Sequence, residues 1–338
     1  MVTTAQLVDG RAYHTATLLS DGTVLIAGGE DGSKSIATAE IYDPAKALFT
    51  QTGTMAATRS HHTATMLPNG RVLIAGGVDQ NDKVLATAEL YDPVSGRFSE
   101  TSPMSTPRED AMAVGLADGK VLVLGGNDGK TQLASAQLYD PSTGTFAGAG
   151  SMTNEREGST ATLLGNGRVL IAGGKGTSGA LGSSETYDPV AGTFEQVAQL
   201  SVGWDGAAAC LLPDGRVAIV GGRIQGGVST TDVDSYDSKT GTFAAMGQLL
   251  YPRSYETATA LADGSVLIVG GMTDDGTPID TMEIFSPTTG VSTFSATTAV
   301  PRVGQTATVL SDGTVLIAGG ENTLGRVTSS AVLYRAGP

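Results

Sequence analysis

The chain has 338 residues, among them 47 glycines, 7 phenylalanines, one tryptophan and one cysteine, and its formal net charge at pH 7 is −14. This acidic balance argues against nucleic acid as a partner, because binding to phosphates requires a basic surface. A lone cysteine excludes an internal disulfide, and no apolar run has the length of a membrane span.

The first residues are interpreted as a strand that belongs to the end of the chain. Met1 precedes Arg11 by the same interval as Phe49 precedes Arg59, and Phe49 lies in a predicted strand. The last repeat ends soon after Tyr334 without a strand of this kind. We therefore expect residues 1–6 to supply the outer strand of the last unit, which removes an open sheet edge.

Residues 14–49 show the pattern of one repeating unit. A short alternating stretch from His14 to Leu19 predicts a strand, and Asp21-Gly22 predicts a two-residue hairpin turn with positive φ angles. The return strand, residues 24–27, is apolar on both faces, as in a sheet covered on both sides. A loop leads to a third strand ending at Tyr42, and a turn leads to a fourth strand containing Phe49.

A Gly-Gly pair after the second strand of each unit recurs every 48 or 49 residues, at 28–29, 76–77, 125–126, 173–174, 221–222, 270–271 and 319–320. The third strand ends in an aromatic residue in all seven copies, and six fourth strands contain Phe49, Phe98, Phe146, Phe194, Phe243 or Phe294. Repeats of this length stack on copies of themselves. The sequence therefore predicts an all-β, seven-bladed β-propeller of four-stranded antiparallel blades, with residues 1–338 as one domain.

The motif Glu40-Ile41-Tyr42-Asp43-Pro44, followed by Phe49, Met55 and Arg59, resembles a kelch repeat, with Phe where that family usually has Trp. The resemblance extends over the whole chain and implies the same propeller fold. It leaves function open, because kelch propellers include both interaction modules and enzymes.

An arginine precedes six of the seven blades, and an acidic residue stands in the third strand of five. We expect buried ion pairs that hold blade to blade, with ligand binding as the alternative; the arginines are Arg11, Arg59, Arg108, Arg156, Arg253 and Arg302. Trp204 replaces the arginine of blade 5 beside Asp205. It is interpreted either as an exposed ring that stacks on a sugar or peptide, or as a wedge between blades.

The second-to-third-strand loops and the blade-to-blade linkers open on one face and differ between repeats, which favours recognition there. Three residues after the repeated arginine, four contiguous blades place His14, His62, Glu256 and Gln305. Tyr13, His61 and Tyr255 stand one residue earlier. These convergent polar groups predict a pocket, with Trp204 as a further candidate. The alternative is that they only tie each loop to its strand.

The segments Arg11-Ala12-Tyr13-His14 and Arg253-Ser254-Tyr255-Glu256 resemble the tyrosine segments of copper radical oxidases of the galactose oxidase type. That resemblance implies copper held by two tyrosines and two histidines, with a cysteine cross-linked to one tyrosine; His61 or His62 could be the second imidazole. Cys210 departs from this pattern because it lies in a predicted strand of blade 5, where we expect a buried apolar role. No segment matches the C-terminal domain that supplies one histidine of that family.

The resulting hypothesis is a monomeric binding module that recognises a protein segment or a saccharide on the variable face, with no catalytic residue, metal or cofactor. One alternative is a small-molecule enzyme that resembles the copper oxidases. Another is a purely structural propeller within a larger surface protein. We expect an extracellular or periplasmic location rather than a cytoplasmic one.

Overall fold

The computed structural model describes residues 2–3, 6–322 and 324–336. Its regular elements are strands throughout this part of the chain, which confirms the all-β prediction. Within these residues no helix has the length and apolar character needed to cross a bilayer.

The first strand, β1 (Val2–Thr3), belongs to the last blade. Blade 1 consists of β2 (Thr15–Leu18), β3 (Val24–Ala27), β4 (Ala39–Asp43) and β5 (Leu48–Gln51). Blade 2 consists of β6 (Thr63–Met66), β7 (Val72–Ala75), β8 (Ala88–Asp92) and β9 (Arg97–Thr101). Blade 3 consists of β10 (Met112–Gly115), β11 (Val121–Leu124), β12 (Ser135–Asp140) and β13 (Thr145–Ser151).

Blade 4 consists of β14 (Thr160–Leu163), β15 (Val169–Ala172), β18 (Ser184–Asp188) and β19 (Thr193–Gln196), with the small hairpin β16 (Lys175–Gly176) and β17 (Gly179–Ala180) in its loop. Blade 5 consists of β20 (Ala208–Leu211), β21 (Val217–Val220), β22 (Thr230–Asp237) and β23 (Thr242–Arg253). Blade 6 consists of β24 (Thr257–Ala260), β25 (Val266–Val269), β26 (Thr281–Ser286) and β27 (Val291–Thr297). Blade 7 contains β28 (Thr306–Val309), β29 (Val315–Ala318) and β30 (Ala331–Tyr334).

The ring closes as the sequence predicts. Blade 7 has the strand order β1-β30-β29-β28, and Val2 lies opposite Leu333. The first strand of each blade lies next to those of the two neighbouring blades, including β2 beside β28. Met1, Thr4 and Ala5 of the predicted 1–6 strand lie outside the described residues.

The core lies between adjacent blades. The second strand of every blade is buried along its whole length, which confirms that neighbouring sheets cover both of its faces. Leu25 and Ala27 of blade 1, for example, pack with Val72 and Ile74 of blade 2. Apolar residues on both faces of one strand are what this stacking requires.

The hairpin turns between the first and second strands form in every blade, but their geometry differs from the expected two-residue turn. In blade 1 the Gly22 N–H donates to Leu19 O (3.0 Å), and the Leu19 N–H donates to Thr23 O (2.8 Å). Only Gly22 has a positive φ (85°), while Asp21 accepts the Thr23 N–H through its side chain. The chain therefore makes a longer turn with one left-handed glycine, a common alternative hairpin connection.

The aromatic pairs of the outer strands follow a strict spacing. In blades 1 to 5, the tyrosine that ends the third strand packs on the phenylalanine seven residues later, with ring centroids 4.7 to 4.9 Å apart. In blade 6, Ser292 lies opposite Phe285, and Phe294 is 54% exposed. Phe294 lies in the fourth strand, as predicted, but its spacing of nine residues from Phe285 places it at a different register.

This difference predicts unequal effects of two matched substitutions. Phe49→Ala should lower the free energy of unfolding by about 3–5 kcal/mol, because Phe49 is buried against Tyr42. Phe294→Ala should change it by less than about 1 kcal/mol. Chemical denaturation of the two variants measures both effects, and equal losses would contradict the assigned register.

The repeated arginines form ion pairs within blades. Arg11 is fully buried and donates to Gly28 O (2.8 Å), Thr38 O (2.9 Å) and Glu40 Oε1 (2.7 Å), which all belong to blade 1. Glu40 also accepts the backbone N–H of Val8 in the preceding linker (2.7 Å). Equivalent pairs are Arg59–Glu89, Arg156–Glu185 and Arg253–Glu283. They join each linker to the blade that follows it, rather than one blade to the next as expected.

Arg108 and Arg302 are equally buried but have no carboxylate partner among the described residues. Arg108 donates to the carbonyl and hydroxyl oxygens of Ser135, and Arg302 does the same with Ser330. Burial without a counter-ion lowers the pKa of each guanidinium to about 10.

Candidate functional site

A cavity of about 840 Å³ opens on the face formed by the second-to-third-strand loops and the blade-to-blade linkers. Residues from all seven blades line it, so it lies on the axis of the ring; we call it the mouth cavity. It therefore opens on the face where the sequence places the variable loops.

The rim of the mouth cavity is a ring of seven left-handed backbone positions. The residue two positions after each arginine, or after Trp204, has φ between 48° and 68°; these residues are Tyr13, His61, Asp110, Gly158, Gly206, Tyr255 and Gly304. Hydrogen bonds join neighbouring members, such as Tyr13 N–H to Gly304 O (2.8 Å) and His61 N–H to Tyr13 O (3.2 Å). A side chain at such a position costs on the order of 1–3 kcal/mol, and strain of this kind concentrates at ligand sites.

A second ring consists of the residues directly after each Gly-Gly pair. Each forms an antiparallel bridge with the residue after the repeated arginine or Trp204, for example Glu30 with Ala12 and Glu321 with Val303. Five of the seven are charged or polar: Glu30, Asn127, Lys175, Arg223 and Glu321. From the sequence, these loops were predicted only to be variable. The sequence signal that could have identified the seven residues of this ring is their constant position directly after each Gly-Gly pair.

One side of the cavity, the acidic wall, consists of Glu30, Asp110 and Glu321 around two stacked rings. The rings of Tyr13 and His61 lie 4.5 Å apart at 19°, and the Tyr13 hydroxyl donates to Glu321 Oε1 (2.7 Å). His61 Nδ1 lies 2.8 Å from Asp110 Oδ1. Burial lowers the pKa of His61, but the Asp110 hydrogen bond and nearby carboxylates outweigh it and raise the pKa overall. Burial and Glu321 raise the pKa of Tyr13, which keeps its phenol protonated.

The opposite side, the mixed wall, combines both charges with a third ring. The Tyr255 hydroxyl donates to Asp205 Oδ2 (3.3 Å), and the Arg223 guanidinium lies 5.3 Å from the centre of the Tyr255 ring. Lys175 Nζ lies 3.5 Å from Glu157 Oε1. Burial and the charge of Asp205 raise the pKa of Tyr255 to about 12. Both cations of this wall are thus already close to carboxylates or an aromatic ring.

Two buried side chains, Glu256 and Gln305, lie one residue further into their blades and form the floor of the cavity. Gln305 Nε2 donates to the backbone oxygen of Val269 (2.9 Å). Burial raises the pKa of the Glu256 carboxyl to about 8, so the neutral acid is its main form at neutral pH.

Five of the eight predicted ligand-binding candidates line the mouth cavity and three do not. The five are Tyr13, His61, Tyr255, Glu256 and Gln305. His14 and His62 lie in the seams between blades, where their Nε2 atoms are 3.0 Å from the hydroxyls of Thr306 and Thr15. Burial lowers the pKa of His14 to about 3 and that of His62 well below its usual value, so both rings are neutral.

Trp204 is the third candidate away from the cavity. It is completely buried and packs with Ala172 of blade 4 and Ile219 of blade 5. Of the two interpretations of Trp204, the exposed ring beside Asp205 is therefore wrong, and the wedge between two blades agrees with the structure.

Seven antiparallel blades around an axial cavity define the protein as a β-propeller. Comparison with known proteins indicates which kind of propeller it resembles. The sequence profile of the Kelch motif matches residues 11–56 and 111–153. These matches identify the Kelch motif in two of the repeats and, together with the fold, support the kelch-type propeller that the sequence predicts. None of the curated proteins matches this sequence significantly.

Two solved structures illustrate the likeness. A novel fungal alcohol oxidase of the AA5 family, in complex with copper, aligns with 97% of this chain and 74% of its own at 18% identity and a TM-score of 0.79. The structure of YjhT aligns with 87% of this chain and 99% of its own at 16% identity and a TM-score of 0.68. At these identities the two likenesses establish the fold alone.

The side chains present do not fit the copper site that the oxidase resemblance implies. Among the described residues, no three histidine, cysteine, aspartate or glutamate side chains lie close enough together to hold a metal ion. His61 alone of the three histidines lines the cavity. Cys210 packs in the core of blades 5 and 6, and burial raises the pKa of its thiol to about 12. We therefore derive no copper chemistry for this site.

Proposed function

We propose that the protein binds a saccharide in the mouth cavity. The observation behind this proposal is that each wall combines a tyrosine with a carboxylate: Tyr13 with Glu321, and Tyr255 with Asp205. The C–H faces of a sugar pack on aromatic rings, and its hydroxyls donate to carboxylates. A volume of about 840 Å³ also lies within the range of small-molecule pockets.

The backbone of the rim supports the same proposal. Tyr13, His61, Asp110 and Tyr255 have left-handed φ angles, although glycine occupies the equivalent position in three other blades. Hydrogen bonds between neighbouring blades hold these residues in place. Pre-ordered side chains lose less conformational entropy on binding, which favours affinity for a small polar ligand.

A glycan array followed by isothermal titration calorimetry tests the proposal. Tyr255→Ala should weaken binding of the best saccharide about tenfold, because one stacking surface is lost. Tyr255 is 40% exposed, so the fold should tolerate the change.

Tyr251→Ala is the matched control for this experiment. Tyr251 is 48% exposed on β23 and does not line the cavity, so its removal should leave the affinity unchanged. Binding to peptides but to no saccharide would contradict the proposal, as would equal affinities of the wild type and Tyr255→Ala.

A further inference from the structure

Glu256 is a buried carboxyl group that no other side chain of the protein satisfies. It is 6% exposed, lines the floor of the mouth cavity, and neither of its oxygens has a hydrogen bond of normal geometry among the described residues. The backbone N–H groups of Glu256 and Ala208 approach the carboxyl and lower its pKa, but burial outweighs them. A buried polar group without a partner is costly, and an unpaired buried charge is more so. We therefore expect the hydrogen-bond partner of Glu256 to belong to a ligand that enters the cavity.

The neighbouring blades show why Glu256 has no side-chain partner. The three equivalent side chains are all bonded: His14 to Thr306, His62 to Thr15, and Gln305 to the backbone oxygen of Val269. For Glu256, the corresponding residue of the preceding blade is Ala208, which stands where blades 7 and 1 have Thr306 and Thr15. The one blade with a carboxylate at this position thus faces a blade without the hydroxyl that could donate to it.

The surroundings of Glu256 favour a positively charged group. Gln305, next to it on the floor, also has an unpartnered acceptor, Oε1. Six carboxyl groups line the cavity, against the fixed cations Lys175 and Arg223 and the imidazole of His61. Lys175 lies beside Glu157, and Arg223 lies over Tyr255, so neither neutralises the acidic wall. A cavity lined mainly by one sign of charge concentrates ligands of the opposite sign.

The chemistry of the floor suits an ammonium group better than a metal ion. No cluster of metal-ligating side chains exists among the described residues. An ammonium group needs only hydrogen-bond acceptors, and its bonds to a carboxylate are among the strong ones.

We propose that the saccharide bound in the mouth cavity carries a free amino group, and that its ammonium form donates to the Glu256 carboxylate. This inference rests on the proposed function and specifies its ligand class.

Binding of this kind releases a proton. The empty cavity holds Glu256 mainly as the neutral acid near neutral pH, because burial raises its pKa to about 8. An adjacent ammonium favours the ionised form, so the Glu256 proton passes to the buffer as the ion pair forms.

Calorimetry with three matched trisaccharides tests the inference at about pH 6.5, where an aliphatic amine is protonated. The sugars are a β-1,4-linked glucosamine trimer, its N-acetylated form and the corresponding glucose trimer. The free-amine sugar should bind at least about tenfold tighter than the other two. Its binding enthalpy should vary with the ionisation enthalpy of the buffer, which reports the released proton.

The Glu256→Gln variant removes the charge and keeps the shape, and Gln305 shows that an amide fits the equivalent position. We expect this variant to lose both the preference for the amine and the buffer dependence. Glu195→Gln is the control, because Glu195 is exposed on β19 and does not line the cavity; it should retain the preference.

The outcomes separate the two proposals. No binding of any saccharide would overturn the proposed function and this inference with it. Equal affinity for the three trimers, lost in Tyr255→Ala, would support the saccharide site and overturn the inference. A preference for the amine that persists in Glu256→Gln would overturn the role of Glu256.

Discussion

Arg59→Met should lower the free energy of unfolding by about 3–5 kcal/mol. Arg59 is fully buried, and its Nη2 lies 2.8 Å from Glu89 Oε1, which is buried as well. Removing the guanidinium leaves the Glu89 carboxylate without a counter-ion, and it also frees the carbonyls of Gly76 and Thr87. Chemical denaturation at neutral pH measures the loss.

Arg108→Met is the control that isolates the charge. Arg108 is just as buried and donates to the corresponding carbonyls, those of Gly125 and Ser135. The side chain in place of Glu89 is Gln137, so no carboxylate is left unpaired. We expect a smaller loss than for Arg59→Met. Equal losses would mean that packing and carbonyl bonds, and not the ion pair, account for the stability.

The free energy of unfolding of the wild type should fall between about pH 5 and pH 8, and Glu256→Gln should remove this fall. The folded-state pKa of about 8 lies above the ordinary value of 4.5, because burial disfavours the charged form. In this window the folded state keeps a proton that the unfolded state has released. Stability therefore decreases as pH rises, by at most about 1.4 kcal/mol per pH unit for one group. Glu256 also faces the charges of Arg253, which lowers its pKa, and Glu283, which raises it.

Thermal unfolding across this pH range compares the two proteins. His14, His61 and His62 titrate in both, so the difference between the two curves isolates Glu256. The wild-type curve should descend towards pH 8 relative to that of Glu256→Gln. If the stability curves of the two proteins run parallel across this pH range, Glu256 is not a neutral buried acid in the folded state.

Much of the fold was predictable because each blade is local in sequence. The Gly-Gly period, the hairpin signals and the tyrosine at the end of each third strand all lie within one repeat. Even the closure of the ring followed from an interval between Met1 and Arg11, and Val2 pairs with Leu333 as expected. One difference between blades is also local: Phe294 lies in its predicted strand, but its spacing from Phe285 is longer than the seven residues of blades 1 to 5.

The candidate site was predictable only in part, because residue type does not give direction. His61 and His62 are neighbours in the sequence, yet His61 lines the mouth cavity and His62 lies in a seam between blades. The left-handed backbone at His61 turns the two side chains apart. Trp204 was ambiguous for the same reason, since an aromatic ring suits a ligand site and a blade interface equally well.

The sequence by itself determined the blade, its repetition and its closure into a ring, because strand pairing and tight turns depend on residues close together along the chain. The tertiary structure alone decided which polar groups meet at the axis. Tyr13 and Glu321 are 308 residues apart and share a hydrogen bond of 2.7 Å, while Glu256 faces Ala208 instead of a threonine. Such contacts exist only after the ring has closed, since closure sets which blades are neighbours and which side chains face the cavity.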